Sequence, residues 1–364
     1  MGGEAGFGVS GNVNEEVGRS KEESTYGSLG VGGNYTFGIG DKGYGSVGAS
    51  VTGLFFDDKI STQQDDDKNI LNFGLNYRGR YYFTPDLSLS TKAYLNYGGI
   101  GSFGRGTLRQ GVLNDYLTDI RTENYLNYSL TDDVKARTGI LTSYFNESGN
   151  RDYDSSSITL AQEFSFNSGN PLAHPYVFGS YGCSDYRNPF TNLDSELLTL
   201  RGGLRGDLGC GVGYDISGGI QKIRYEDRFL RDATEPSFQA TLFGSPIENL
   251  SIFVGAEHGI HEVFPNFGGM WMVNPVGTTL FARSFYKIDS SNGVGATLQQ
   301  TFLDGENTRG RSGPEWERTS FQVHYDYKFT PQITVTPSVG VLKVDNGADS
   351  ETDMFASVNV SYRF

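Results

Sequence analysis

The residues able to carry covalent chemistry are few and poorly placed for it. The chain has four histidines, His174, His258, His261 and His324. His258 and His261 stand three residues apart, a step that sends strand side chains to opposite faces, so they make no metal pair on a strand. Ser290-Ser291-Asn292-Gly293 offers hydroxyl nucleophiles. No histidine precedes it at the spacing a general base would need, and its composition is that of a turn. The glycine pairs Gly202-Gly203 and Gly218-Gly219 follow and precede strand patterns rather than opening helices, so they do not cradle phosphate. Cys183 and Cys210 are too few for a disulfide framework. They fall near opposite ends of non-adjacent strands, beyond the separation of about 7 Å that a bridge tolerates between Cα atoms. The expectation is a non-enzyme with no catalytic residue, no metal and no cofactor.

Charge at alternate positions is the chemistry that is left. Successive strand side chains point to opposite faces. On that parity Arg78, Arg80, Lys92, Arg121, Lys135, Arg137, Arg201, Arg205, Arg283, Lys287, Lys328 and Arg363 share the polar face of their strands. Fewer acids join them: Asp119, Glu123, Glu163, Asp215, Glu257 and Asp326. Such a surface selects ions, because rings of basic side chains favour anions in a pore. Mutual neutralisation by salt bridges is the alternative reading of the same charges. The net charge of -14 then sits mainly in loops, notably Glu15-Glu16, Glu22-Glu23 and Asp65-Asp66-Asp67. That charge excludes a nucleic-acid partner, which requires a basic surface.

The elements that must position these residues follow from composition and period. The 364 residues include 50 Gly, 25 Phe and 22 Tyr, yet only 37% are hydrophobic. The glycines keep no three-residue period, which excludes a collagen-like chain. The aromatics are too many for a disordered chain, and no apolar run approaches the roughly 18 residues of a spanning helix. From Leu71 to Phe83 one face carries Leu71, Phe73, Leu75, Tyr77, Tyr81 and Phe83, and the other Asn72, Gly74, Asn76, Arg78 and Arg80. The pattern resumes after Thr84-Pro85-Asp86 and recurs to Val358, Val360, Tyr362 and Phe364. Between Ala173 and Tyr186 either parity fits. The count is about 18 strands (16–18) at a mean spacing of about 20 residues, longer than a sandwich needs.

The connections sort into two kinds. Short ones fall at 38–43, 84–86, 131–133, 167–172 and 330–332, and longer polar ones at 15–24, 57–68, 98–113, 146–154, 224–235, 303–314 and 345–351. Short turns on one rim and longer loops on the other are the asymmetry of outer-membrane barrels. The apolar faces lack interior charge, and aromatics such as Tyr35, Phe37, Tyr81, Phe83, Phe164, Phe166, Tyr327 and Phe329 crowd the strand ends beside the short turns. The other face reads as uniformly small and polar, with glycine and scattered arginine. The fold class is therefore all-β: a single domain, residues 1–364, forming a transmembrane antiparallel up-and-down barrel with short periplasmic turns and longer extracellular loops.

The ending Val360-Ser361-Tyr362-Arg363-Phe364 resembles the C-terminal strand of bacterial outer-membrane proteins. That resemblance implies that Tyr362 and Phe364 form the signal read by the barrel-assembly machinery. The turns Tyr-Tyr-Phe-Thr-Pro-Asp-Leu (81–87), Tyr-Ser-Leu-Thr-Asp-Asp-Val (128–134) and Tyr-Lys-Phe-Thr-Pro-Gln-Ile (327–333) share one template. They resemble a broad family of porin-like barrels that includes exopolysaccharide-export pores. The expected function is a pore for hydrophilic solutes in the outer membrane of a Gram-negative-type envelope, with Arg78, Arg80, Lys92, Arg121, Lys135, Arg137, Arg201, Arg205, Arg283 and Lys328 lining it. One alternative is a conduit for exported exopolysaccharide docked to a periplasmic partner. Another is a structural or adhesive surface barrel. The lipid bilayer is the expected solvent, and the oligomeric state is left open. The 98–113 loop, with Arg105 and Arg109, either constricts the pore or stays at the surface.

Overall fold

The computed structural model describes residues 2–17, 23–56, 69–99, 116–148, 153–187, 193–227, 230–260, 264–265, 271–307, 315–345 and 350–363. Within them the chain is strand and turn. The strands are β1 (Gly2–Val17), β2 (Glu23–Gly38), β3 (Gly43–Phe56), β4 (Asn69–Thr84), β5 (Leu87–Gly99), β6 (Tyr116–Ser129), β7 (Val134–Ser148), β8 (Tyr153–Phe166) and β9 (His174–Arg187). They continue as β10 (Ser195–Asp207), β11 (Val212–Tyr225), β12 (Ala233–Ile247), β13 (Leu250–Ile260), β14 (Phe264–Pro265), β15 (Trp271–Lys287), β16 (Asn292–Asn307), β17 (Trp316–Lys328), β18 (Ile333–Asp345) and β19 (Ser350–Arg363). β14 has only 2 residues, which leaves 18 long strands among the 19. The expected count is met.

Each long strand pairs antiparallel with its neighbours in sequence, β13 reaching past β14 to β15. The ladder then returns to its start: β19 pairs with β1 from Glu4↔Arg363 to Val17↔Ser350. Closure leaves neither terminal strand as a free edge, so the long strands of the described residues pair on both sides. An even strand number is what allows the first and last strands to meet antiparallel.

Turn chemistry explains the short rim. Thr131 Oγ1 accepts the backbone N–H of Asp133 at 3.3 Å and of Val134 at 3.1 Å. Thr330 does the same for Gln332 and Ile333, at 3.3 and 3.0 Å. The threonine shared by these turns thus substitutes its hydroxyl for a backbone acceptor. Two further short turns, at 208–211 and 248–249, escape the sequence pattern. The first needs positive φ at Gly209, Cys210 and Gly211, the second at Asn249. Both cysteines are free: Cys210 lies in that turn, and Cys183 in β9. On the opposite rim the connections at 188–194 and 261–270 were also not anticipated, and strands run further into several expected loops, so that 146–154 shrinks to 149–152.

The sheet is inside-out. Ser88, Thr199, Ser217 and Ser237 on the polar face are 2–5% exposed, whereas Val31, Leu75, Leu160, Ile216 and Val339 on the apolar face are 53–59% exposed. Side chains of the polar face also reach across an intervening strand: Tyr176 in β9 to Asp215 in β11, and Arg201 in β10 to Ser237 in β12. Second-neighbour strands stand about 9.6 Å apart, and a concave face brings their side chains closer together. The polar face therefore lines the interior, and the apolar face points outward.

Candidate functional site: the inner wall

By register the ten basic residues share the polar face: Arg78↔Lys92, Lys92↔Glu123, Arg121↔Ser143, Ser129↔Lys135, Arg137↔Glu163, Arg201↔Gly219, Arg205↔Asp215, Arg283↔Thr297 and Lys328↔Thr334, with Arg80↔Ser90 beside the first. The six acids occupy the same face, Glu257 opposite Gln239 and Asp326 opposite Gly293. β9, ambiguous in sequence, sends Tyr176 and Phe178 inward and Val177 and Tyr181 outward.

One reading of that face needs correction. The inner wall is not uniformly small and polar, because Tyr94, Tyr125, Tyr176, Phe178, Phe253, Phe281 and Phe285 lie on it as well. Phe253 and Phe281 stack at 5.2 Å, and Phe285 stacks on His324 at 6.2 Å. In β9, β13 and β15 apolar residues fall on both parities, so alternation hides the inner set. Arg318 is a further inner-wall cation that the sequence reading omitted; it stands opposite Thr301 and Val344. Extending the parity of Phe321 three residues towards the N-terminus would have found it.

The wall carries both ion-paired and unpaired cations. Around β8 to β12, Arg205 pairs with Glu163 at 3.0 Å and lies 3.6 Å from Asp215, which also accepts the Tyr176 hydroxyl at 2.6 Å. Arg201 donates to Ser237 at 2.8 Å and Gln239 at 3.4 Å. Lys92 pairs with Glu123 at 2.8 Å, and Arg121 with Asp119 at 2.9 Å. By contrast Arg78, Arg80, Lys135, Arg137, Arg283 and Lys328 make no ion pair among the described residues. Ion pairing therefore accounts for three of the ten cations, Lys92, Arg121 and Arg205, and leaves seven, Arg201 among them, without an ion pair among the described residues.

On the outer face, charge lies towards the long-loop ends, where Glu196 stands opposite Arg224 and Lys222 opposite Leu198. His258 stacks on Phe238 at 5.1 Å and meets the Thr278 hydroxyl at 2.9 Å, while His261 lies outside the described residues. Aromatic neighbours mark the short-turn rim, Tyr35 with Phe37 at 6.1 Å and Tyr81 with Phe83 at 5.1 Å. This is the depth at which amphipathic rings settle at a membrane interface. Tyr362 faces outward opposite Ile333, 47% exposed. Phe364, Arg105 and Arg109 lie outside the described residues, as does most of the 98–113 loop.

No family model matches the sequence, and no curated protein does. Solved structures do. The siderophore receptor PirA from Acinetobacter baumannii is 8% identical with a TM-score of 0.51, the match covering 99% of this chain and 80% of that one. The FrpB iron transporter from Neisseria meningitidis (F3-3 variant) is 7% identical with a TM-score of 0.51, covering 93% and 62%. At such identity the likeness is one of fold. The chain is an outer-membrane β-barrel. A closed ladder with an apolar exterior has no stable place in water, since its exposed Leu, Val and Phe side chains need hydrocarbon around them. Fold and belt together locate it in an outer membrane.

Proposed function

We propose that the protein is an outer-membrane pore for hydrophilic solutes with a preference for anions, working by permeation without covalent chemistry or cofactor. The carrying observation is that seven of the ten inner-wall cations make no ion pair among the described residues. Eighteen strands about 4.8 Å apart and tilted about 40° enclose a backbone cylinder about 35 Å across, wide enough to stay wet once side chains are subtracted. In that interior a fixed positive charge lowers the energy of entering anions and raises that of cations. A conduit for exported polysaccharide would need the 98–113 segment clear of the interior, and no feature of the described wall favours it over smaller solutes. The test is reconstitution in a planar bilayer under a potassium chloride gradient. A stable conductance whose reversal potential favours chloride supports the proposal. A closed barrel, or clear cation preference, refutes it.

A further inference from the structure

We propose that the inner wall of β4 to β7, beside the short-turn mouth, is an oxyanion cradle: a site for a carboxylate or phosphate group on a permeating solute. This rests on the pore reading and adds a located binding site to it. β4 descends to the turn at 85–86 with Arg78 and Arg80 close to its end, and β7 rises from the turn at 130–133 with Lys135 and Arg137 close to its start. The four strands place these cations at the edges of a patch about 14 Å wide. Its floor is hydroxyl and amide. Ser88 lies opposite Asn127, Asn127 lies opposite Arg137, and the Asn127 amide donates to Ser90 Oγ at 3.2 Å.

Two contacts draw the nearest wall carboxylates away from these arginines. Glu163 stands opposite Arg137 in the register, yet its carboxylate pairs with Arg205, two strands further round, at 3.0 Å. Glu123 is taken by Lys92 at 2.8 Å. Left without either acid, Arg137 lies over the Tyr125 ring, its Cζ 3.6 Å from the ring centroid. Arg80 lies 5.0 Å from the centroid of Tyr82, and Arg78 5.9 Å from that of Tyr94. A guanidinium held by an aromatic face keeps its in-plane N–H donors free, and those donors match the two oxygens of a carboxylate or phosphate. Arg80 also has a buried Nε with no acceptor among the described residues, while its Nη2 donates to Ser88 Oγ at 3.3 Å. A buried donor without an acceptor destabilises the apo state until one arrives.

The full chain in planar bilayers tests the site with pyrophosphate and, separately, citrate as blockers of the chloride current. Wild type should be blocked, and Arg80→Gln with Arg137→Gln should weaken block at least about tenfold, the size of effect expected from losing charge-assisted donors. Lys222→Gln, on the outer face of β11 opposite Leu198, should leave block unchanged. Tighter block by pyrophosphate assigns a phosphate, tighter block by citrate a carboxylate, and either supports the cradle. Equal block in wild type and the double variant overturns the cradle while the conductance itself still supports the pore. If wild type carries no current, the pore reading falls. Titration calorimetry of pyrophosphate into the detergent-folded protein then decides the cradle: heat lost in the double variant supports it, and no heat in wild type overturns it.

Discussion

Leu200 offers a direct test of an inside-out barrel. It lies on the outer face of β10, between Gly179 and Ile220 in the register, and is 49% exposed. Leu208, in the turn that follows β10, is 57% exposed. At about 3.3 Å per residue along a strand tilted about 40°, the axial rise is about 2.5 Å per residue, so the two leucines differ by about 20 Å in depth. A guanidinium at the bilayer midplane costs about 2–4 kcal/mol, and near the interface about 0–1 kcal/mol. Leu200→Arg should therefore lower the unfolding free energy by about 2–4 kcal/mol, and Leu208→Arg by less than about 1 kcal/mol. Asn76→Arg, on the inner face and solvated, should also cost less than about 1 kcal/mol. Guanidinium unfolding in lipid vesicles, followed by tryptophan fluorescence, reads all three. In a water-soluble sheet packed against another, both leucines would be buried and depth would not matter. Equal costs at Leu200 and Leu208, or no cost at Leu200, would refute the placement of the apolar face against lipid.

Removing Arg205 should act in two ways. Arg205→Gln leaves Glu163 and Asp215 without their shared cation, at a cost of about 1–3 kcal/mol once its 37% exposure is allowed for. It also frees Glu163 to meet Arg137, its register partner, so chloride preference measured by reversal potential should fall further than in Arg283→Gln. Asp289 governs a pH effect in the turn between β15 and β16. The backbone N–H of Ser291, at 2.7 Å, and then the Asn292 side chain hold its carboxyl below the ordinary value of 3.8. A depressed folded pKa contributes stability above the unfolded value that is lost as pH falls through the folded one. The stability difference between wild type and Asp289→Ala should therefore be present at neutral pH and vanish below the folded pKa, as acid unfolding curves would report.

Period-two alternation was enough to make the architecture legible from residues alone. Leu71, Phe73 and Leu75 against Asn72, Gly74 and Asn76 decide the two faces of β4, and the threonine turns decide which rim is tight. The reason is local: parity follows from backbone geometry one residue at a time. Where both parities were apolar, as in β9 and β15, that signal failed, and the inner aromatics Phe178, Phe281 and Phe285 were missed.

What the sequence determined by itself was therefore the alternation of faces along most strands. Only the tertiary structure decided which charges cancel. Arg137 and Arg205 are indistinguishable by pattern, both inward-facing arginines on alternating strands. Stagger between strands and the curvature of a closed ring bring Glu163 to Arg205 and leave Arg137 lying on Tyr125. Distances between strands that are not neighbours depend on closure, and closure is a property of all eighteen long strands at once.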